Sequence, residues 1–371
     1  MEKKTFFYFE LEPGMVVAED VYTPSGQLVL GARTILNEVN INRLANYSIM
    51  EVPIDISPAP IEPKAQDVSP LSNPTFNIVE TERFKKFSNT YQSATTNLEN
   101  HLNNIVEMND AIDTDAILKD TFSSINEDYN SFELFDMIHH ISYFDNSSFV
   151  HSMNVALIAS LIGGWIQLSK EDLKVLSLCG LLHDIGKLAI PPEILKKPSI
   201  LTDEEFEIMK SHASKGYEIL KDQPIDNRIK QAALLHHEKC DGSGYPFKLS
   251  SQKIPLFVKI ITIADIYDAM TARRVYRAPV CPFKVIQQFQ DEGLHKYDPL
   301  IILTFLENVV QTYMNNDVFL SDGRIGRIVM INKLNLARPV VKVGNDFVDL
   351  SQTPGVEIVD IITHSNNNKT I

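Results

Sequence analysis

Two helix-start signals near the middle of the chain constrain its fold more than any other feature. Ser169 stands in the stretch 168–173 as an N-cap between two leucines that form a hydrophobic staple, with an acid at the third helical position. Thr202 stands in the stretch 201–206 in the same way, with Glu205 as its capping-box partner. Further apolar helices are expected over Ile229–His237, Val258–Thr271 and Pro282–Gln290. The middle of the chain is therefore predicted to be all-α.

The two ends of the chain follow a different pattern. Short strands are expected within residues 1–55, and alternating apolar residues with turns at Asp322–Gly323 and Gly344–Asn345 predict a second β module near the end. The proline-rich stretch Pro53–Pro74 is typical of a linker. We therefore expect a multidomain chain: a small β-rich N-terminal module (1–55), a linker and helical connector (56–124), an all-α domain (125–310), and a small β-rich C-terminal module with a frayed tail (311–371).

Composition excludes several classes of protein. The formal net charge of −14 argues against binding of extended nucleic acid, which needs a basic face. No run of about 18 uninterrupted apolar residues is present, so no membrane span is expected. The apolar stretch at the start is too short for a signal peptide, and we expect a cytoplasmic protein. Three widely spaced cysteines argue against a disulfide framework or a cysteine zinc site.

Histidines and acids gather in the helical middle. His183–Asp184 and His237–Glu238 each join a common nitrogen ligand of divalent metals to a carboxylate. Lys187 lies four residues after His183, and helical spacing places its ammonium on nearly the same face, where it could contact a phosphate. Asp265 and Asp268 stand on an apolar helix, where acids are costly to bury unless they are paired or ligating. A single histidine of this kind is usually a core residue, but the ordered set favours a metal site.

Three stretches of the helical middle resemble the signatures of the HD-GYP family. They are His183–Lys187, His236–Pro246 and Ala264–Arg277. The resemblance covers about residues 125–310 and implies an all-α HD-GYP core, an HD-type helical metallohydrolase, between the two β-rich modules. In the family such a domain linearises cyclic di-GMP, and onward cleavage of the linear product to GMP stays open.

The resemblance also assigns roles to individual positions. The implied metal ligands are His151, His183, Asp184, His212, His236, His237 and Asp265. Asp184 would bridge the metals and would act in catalysis together with Lys187. The implied contacts to the substrate are Lys187, Gly244, Tyr245, Asp268, Arg274 and Arg277. Some family members hold a third metal through a glutamate four residues before the first ligand histidine. Ser147 takes that position here, so we expect two divalent ions, iron or manganese first, with zinc, nickel and cobalt left open.

The predicted function is hydrolysis of cyclic di-GMP to linear pGpG by a metal-dependent phosphodiesterase, through a hydroxide that bridges the two metals. Lys187 or a metal-bound water would protonate the leaving group. Two alternatives stay open: a catalytically silent sensor or scaffold for cyclic dinucleotides, and a hydrolase of another cyclic dinucleotide such as cyclic GMP-AMP. A homodimer, and partners such as a diguanylate cyclase or other signalling proteins, are also left open.

Overall fold

The computed structural model describes residues 3–7, 11, 14–22, 28–36, 44, 51–55, 81–108, 110–122, 129, 131–141, 148–197, 201–272 and 280–362. Three residues with predicted roles, Ser147, Arg274 and Arg277, lie outside this part of the chain. The chain divides into two compact units, 1–74 and 75–371.

The first unit is a small antiparallel β structure. Its strands are β1 (Lys3–Phe7), β2 (Val16–Val17), β3 (Val21–Tyr22), β4 (Leu28–Leu30) and β5 (Glu51–Asp55). Strand β5 pairs with β1 and β2, and β3 pairs with β4. Val17, Val52 and Ile54 belong to its own hydrophobic core. The predicted β-rich N-terminal module is confirmed.

The second unit begins with helices. They are α1 (Glu82–Met108), α2 (Thr114–Phe122), α3 (Ser131–Ile141), α4 (Ser148–Trp165), α5 (Lys170–Leu182), α6 (Pro192–Leu195), α7 (Asp203–Lys210), α8 (His212–Leu220), α9 (Asn227–Leu235), α10 (Leu256–Thr271), α11 (Pro282–Gln288), α12 (Leu294–Lys296) and α13 (Pro299–Thr312). Short 3₁₀ turns cover Ile185–Ala189 and Ser251–Lys253, and a π turn covers Phe289–Gly293. The predicted all-α middle is confirmed.

Both predicted helix starts are present. The Ser169 hydroxyl accepts a hydrogen bond from the backbone N–H of Asp172 at the start of α5. Thr202 and Glu205 form a complete capping box at the start of α7. These caps satisfy N–H groups that the helices themselves leave without partners. They fix where the two helices begin, and so where the residues that follow them in the chain can lie.

The end of α5 differs from the predicted continuous helix. The α-helix stops at Leu182, and a 3₁₀ turn runs from Ile185 to Ala189. Because 3₁₀ geometry brings residues three apart into register, Lys187 still meets Asp184 and forms an ion pair with it. Gly186 allows this turn to lie directly against α8, since a β-carbon there would collide with the backbone of α8 at His212 and Gly216.

Helix α4 lies at the centre of this unit. Most of its residues are buried, and it packs against α5 and α10. Among the described residues it is the one helix long and apolar enough to cross a membrane by length and composition. The burial of α4, and the presence on it of the metal-ligand candidate His151, are features of a core helix.

A second antiparallel sheet ends the described chain. Its strands are β6 (Asp317–Leu320), β7 (Ile325–Met330), β8 (Val340–Val343), β9 (Asp346–Asp349) and β10 (Ile358–Ile362), in the order β10-β6-β7-β8-β9. Gly323 and Gly344 have φ of 88° and 61° in the two predicted turns, which supports those turn assignments. Val318, Ile328 and Val341 pack into the same hydrophobic core as the helices. The β-rich C-terminal module is confirmed, and the finer boundaries at 124 and 310 stay predictions.

Candidate metal centre

The seven predicted metal ligands converge in the second unit. They form two groups in which the ligand atoms lie within 4.8 Å of one another: His151, His183 and Asp265 in one, Asp184, His212, His236 and His237 in the other. The ligands come from α4, α8, α10 and the segments that follow α5 and α9. The fold thus brings together residues that are up to 114 positions apart, as between His151 and Asp265.

Asp184 lies between the two groups. Its Oδ2 is 3.3 Å from His183 Nε2 and 3.6 Å from His151 Nε2. Its Oδ1 is 3.4 Å from His212 Nε2 and 3.6 Å from His236 Nε2. Each oxygen therefore faces a different set of nitrogens, which is the placement of a bridging carboxylate.

The histidine rings are held by hydrogen bonds from their other nitrogen. In four of them Nδ1 reaches a carbonyl or carboxylate oxygen: His151 to Asp268 Oδ2 (2.6 Å), His183 to Gly180 (2.7 Å), His212 to Met209 (2.6 Å) and His236 to Ala232 (3.0 Å). Since these oxygens only accept, Nδ1 carries the proton in each ring. In His183, His212 and His236 this leaves Nε2 to act as a ligand, the arrangement that is usual for histidine bound to a metal, whereas Nε2 of His151 lies 3.0 Å from Asp265 Oδ1.

Two buried atoms identify what the centre can hold. Among the described residues, three side-chain atoms are buried without a hydrogen-bond partner, and two of them, His183 Nε2 and Asp184 Oδ1, lie in this centre; the third is Asn335 Oδ1. Leaving such a group unsatisfied costs about 1–3 kcal/mol. His212 Nε2 also lies 3.2 Å from His236 Nε2 and 3.1 Å from His237 Nε2, so three lone-pair positions face one another. A divalent cation satisfies all of these atoms, and the mixed nitrogen and oxygen donors fit such an ion.

Charge is distributed unevenly through the centre. Burial alone would lower the pKa of His151, but hydrogen bonds and charge from Asp265 and Asp268 outweigh it and raise the pKa to about 9. Burial lowers the pKa of His212 to about 4. Burial opposes ionisation of Asp184, yet the charges of Lys187 and His183 hold its pKa well below the usual range. Asp184 is therefore a carboxylate at neutral pH, as a bridging ligand must be.

A cavity of about 470 Å³ opens beside the ligands. Lys187, His237 and Asp265 line its inner end. Other lining comes from Lys239, from residues 243–245 of the loop 241–249 and from the segment 288–297, and we call this part the outer wall. Tyr245 in that loop stacks on His237, with ring centroids 4.6 Å apart. Burial raises the pKa of the Tyr245 hydroxyl, so it stays a neutral donor at the cavity surface.

The loop that carries Tyr245 is held in place by the side chain of Glu238 and by close backbone packing at Gly244. Glu238 is buried, and its carboxylate accepts hydrogen bonds from the backbone N–H groups of Phe247 (2.6 Å) and Leu249 (2.8 Å). A β-carbon at Gly244 would lie 2.5 Å from the backbone of the segment 237–239, so only glycine fits there. Gly244 lines the cavity, where a substrate contact was predicted.

Asp268 lies in a different place from the one its predicted role needs. It is 2% exposed and accepts hydrogen bonds from His151 Nδ1 and from Asn154 Nδ2 (2.8 Å). The structure places it behind His151 and outside the cavity lining, so it orients a metal-ligand candidate and does not face a substrate. Arg274 and Arg277 cannot be placed, because they lie outside the described residues.

Sequence reasoning missed several residues of the site. Asn154 stands three positions after His151 on α4, and that spacing could have revealed it. Glu238 was noted as an acid beside His237, but its buried position under the loop carried no sequence signal. The segment 288–297, with Glu292, Lys296 and Tyr297 on the cavity, has ordinary residue types and no motif.

Comparison with known proteins places the centre within a matched region. A family model described as HD domain matches residues 143–301. A cyclic di-GMP phosphodiesterase of Pseudomonas aeruginosa is 32% identical over 200 residues, which are 54% of this chain and 48% of that protein. A cyclic di-GMP phosphodiesterase of Thermotoga maritima is 36% identical over 179 residues, 47% of this chain and 49% of that protein.

A third relative has a different substrate in its name. A 3'3'-cGAMP-specific phosphodiesterase of Vibrio cholerae is 34% identical over 160 residues, which are 43% of this chain and 31% of that protein. The chain spans about half the length of the first two relatives and less of the third.

Proposed function

We propose, from the premise that residues 143–301 form an HD domain of the HD-GYP family, that this chain is a metal-dependent phosphodiesterase acting on cyclic di-GMP. The observation that carries the proposal is the position of Asp184, whose two oxygens face two separate groups of buried ligands beside a cavity. A core histidine cluster without a metal would not leave a carboxylate oxygen and an imidazole nitrogen buried and unpaired.

The ligand set is proposed to hold two divalent ions, iron or manganese first. Zinc, nickel and cobalt also suit mixed histidine and carboxylate ligands. Ions held there would supply a nucleophile at neutral pH and would neutralise the charge that develops on the phosphoryl oxygens. The two ligand groups, one around His183 and one around His212, correspond to one ion each, with Asp184 shared.

Lys187 is proposed to act on the phosphate. Its ammonium pairs with Asp184 Oδ2 and also lines the cavity. One group therefore contacts both the seven metal-ligand candidates, which we call the ligand layer, and the cavity in which the substrate would bind. An ammonium there can bind a non-bridging phosphate oxygen and can deliver a proton to the leaving ribose oxygen. The proposed first product is the linear dinucleotide pGpG, with GMP as the product of a second cut.

The outer wall is proposed to hold the nucleotide portions. Tyr245 offers the face of a ring that is already fixed by stacking on His237. Lys239 and Lys296 add positive charge at the same cavity, in a chain that is otherwise acidic. An anionic dinucleotide would meet local positive charge in spite of the net charge of −14.

The proposal is tested with the purified full chain loaded with ferrous iron or manganese. Cyclic di-GMP, 3'3'-cyclic GMP-AMP and cyclic di-AMP are supplied in parallel, and products are identified by chromatography and mass. We expect linear pGpG from the unaltered chain, none from a His183→Ala/Asp184→Ala variant, and normal turnover from His101→Ala. His101 is a matched control because it pairs with Asp120 outside the metal centre.

Each other outcome selects a different function. Tight binding of cyclic di-GMP with no product under either metal would replace hydrolysis by sensing. Faster cleavage of 3'3'-cyclic GMP-AMP than of cyclic di-GMP would keep the phosphodiesterase and reassign its substrate. Failure to bind either ion would contradict the metal centre itself.

A further inference from the structure

A chain of hydrogen bonds links helix α1 to the metal-ligand candidate His151. The Tyr91 hydroxyl of α1 lies 2.6 Å from Asn154 Oδ1. Asn154 Nδ2 donates to Asp268 Oδ1 at 2.8 Å, and His151 Nδ1 donates to Asp268 Oδ2 at 2.6 Å. Two side chains and three hydrogen bonds thus connect a hydroxyl on one helix to a ring that faces Asp184 and Asp265 with its other nitrogen.

The polarity of this chain is determined by Asp268. A carboxylate only accepts, so the amide group of Asn154 must turn its NH₂ towards Asp268 and its carbonyl towards Tyr91. The Tyr91 hydroxyl then donates, with the Val150 carbonyl as a second acceptor at 3.1 Å. A reversed amide would bring its oxygen against the carboxylate, which is repulsive. The hydroxyl therefore donates to the carbonyl that Asp268 turns towards it, and so supports the orientation in which the amide holds Asp268.

All four members are shielded from water. Tyr91, Asn154, Asp268 and His151 are between 1% and 5% exposed. Hydrogen bonds in such surroundings are stronger than at the surface, and each affects the geometry of the next. This series of hydrogen bonds therefore belongs to the buried core, where water does not compete for the same donors and acceptors.

The hydroxyl comes from outside the matched family region. Helix α1 covers Glu82–Met108, whereas the HD domain match begins at residue 143. Phe84, Phe87 and Tyr91 of α1 lie in the same hydrophobic core as α4. Nothing in the signature stretches at 183–187, 236–246 and 264–277 points to this helix.

We propose that Tyr91 is a positioning residue for the metal centre. Its hydroxyl orients the Asn154 amide, the amide holds Asp268, and Asp268 fixes the ring plane and the protonated nitrogen of His151. A helix that precedes the HD domain thereby sets the metal affinity of the group formed by His151, His183 and Asp265. The inference rests on the metal centre of the proposed function, but not on which dinucleotide is hydrolysed.

The test compares Tyr91→Phe with Tyr313→Phe in the full chain. Tyr313 is a matched control because it is 3% exposed in the same core and its hydroxyl pairs with that of Tyr267 at 3.3 Å. Manganese affinity is measured by chelator competition, and thermal unfolding is measured without metal. Tyr91→Phe is expected to weaken manganese binding about 10-fold, the lower end for loss of an outer-layer partner, and Tyr313→Phe less than about 2-fold.

A coupling experiment separates positioning from general packing. Asp268→Asn breaks the chain at its centre, so adding Tyr91→Phe to that variant should weaken manganese binding no further. Asn154→Ala interrupts the chain of hydrogen bonds without a substitution in α1. If Tyr91→Phe does not fold, this variant should show the same loss of manganese affinity. An unchanged manganese affinity in Tyr91→Phe, or additive losses with Asp268→Asn, would overturn the inference. A wild-type chain that binds no manganese or iron would overturn both this inference and the proposed function, whereas metal binding without hydrolysis would overturn only the latter.

Discussion

The ligand layer and the outer wall of the cavity are built in opposite ways. His183 and His236 in the ligand layer are fully buried, and each ring is fixed by a hydrogen bond from its Nδ1. In the outer wall, Glu292 is exposed and Tyr245 only partly buried. Under the proposed function, the contrast would assign reactivity to the rigid layer and selection of the substrate to the wall, and variants in the two layers should therefore fail differently.

The largest effect is expected from Asp184→Asn in the ligand layer. An amide cannot offer two anionic oxygens to two ligand groups, so both ions should be lost. Turnover should fall by more than about 100-fold, beyond what loss of an outer-layer partner costs. Metal content per chain and turnover are measured together, with exposed Asp222→Asn as the control. Retention of two ions per chain would contradict the bridging position.

Lys187→Met tests the boundary between the two layers. The variant keeps an unbranched side chain that is one atom shorter but removes the ammonium that faces both Asp184 and the cavity. We expect metal content to persist and kcat to fall about 100-fold, the lower end for a proton donor. Lys215→Met is the control, since Lys215 donates to the Ala189 carbonyl away from the cavity. Parallel loss of metal would place Lys187 in the ligand layer alone.

Gly244→Ala displaces the wall without replacing a ligand side chain. The added carbon would meet the backbone of residues 237–239, so the loop with Tyr245 must shift. We expect turnover to drop about 10-fold, below the 100-fold that a 1 Å misplacement can cost, with metal content unchanged. Gly164→Ala in α4 has open space around it and should keep full activity. Equal behaviour of the two variants would mean that the loop does not shape the cavity.

The smallest effect is expected from Lys296→Met. Lys296 lines the wall and pairs with exposed Glu292, and such surface pairs contribute little to stability. Its loss should raise KM about 3-fold through weaker attraction of the anionic substrate, leave kcat unchanged, and matter less at high salt. Lys221→Met removes a similar pair with Glu218 elsewhere and should leave KM alone. A change in kcat would break the division between the layers.

The ligand layer could be predicted from the sequence because several of its residues are adjacent in the chain. His183–Asp184 and His236–His237 stand in signature stretches, and the caps at Ser169 and Thr202 predicted the helices around them. In the outer wall, Gly244 and Tyr245 were predicted from a signature stretch, but the segment 288–297 was not. Glu292 reaches the cavity from a π turn and Lys296 from the short helix α12, and no local sequence pattern indicates either. Asp268 was identified from the sequence as a site residue. The direction in which its side chain points could not be predicted, because the sequence does not show its hydrogen bond with Asn154.

Gly186 has a consequence for how the centre adapts to ions of different radius. Its turn meets α8 backbone to backbone, with no room for a β-carbon, so the separation of Asp184 from His212 is set by two main chains and not by rotamers. His237 follows the end of α9, and its ring, on a side chain that is 24% exposed, can shift together with the Tyr245 ring stacked on it. Replacing a small ion by a larger one should therefore move His237 and Tyr245, which means that the choice of metal also adjusts the mouth of the cavity.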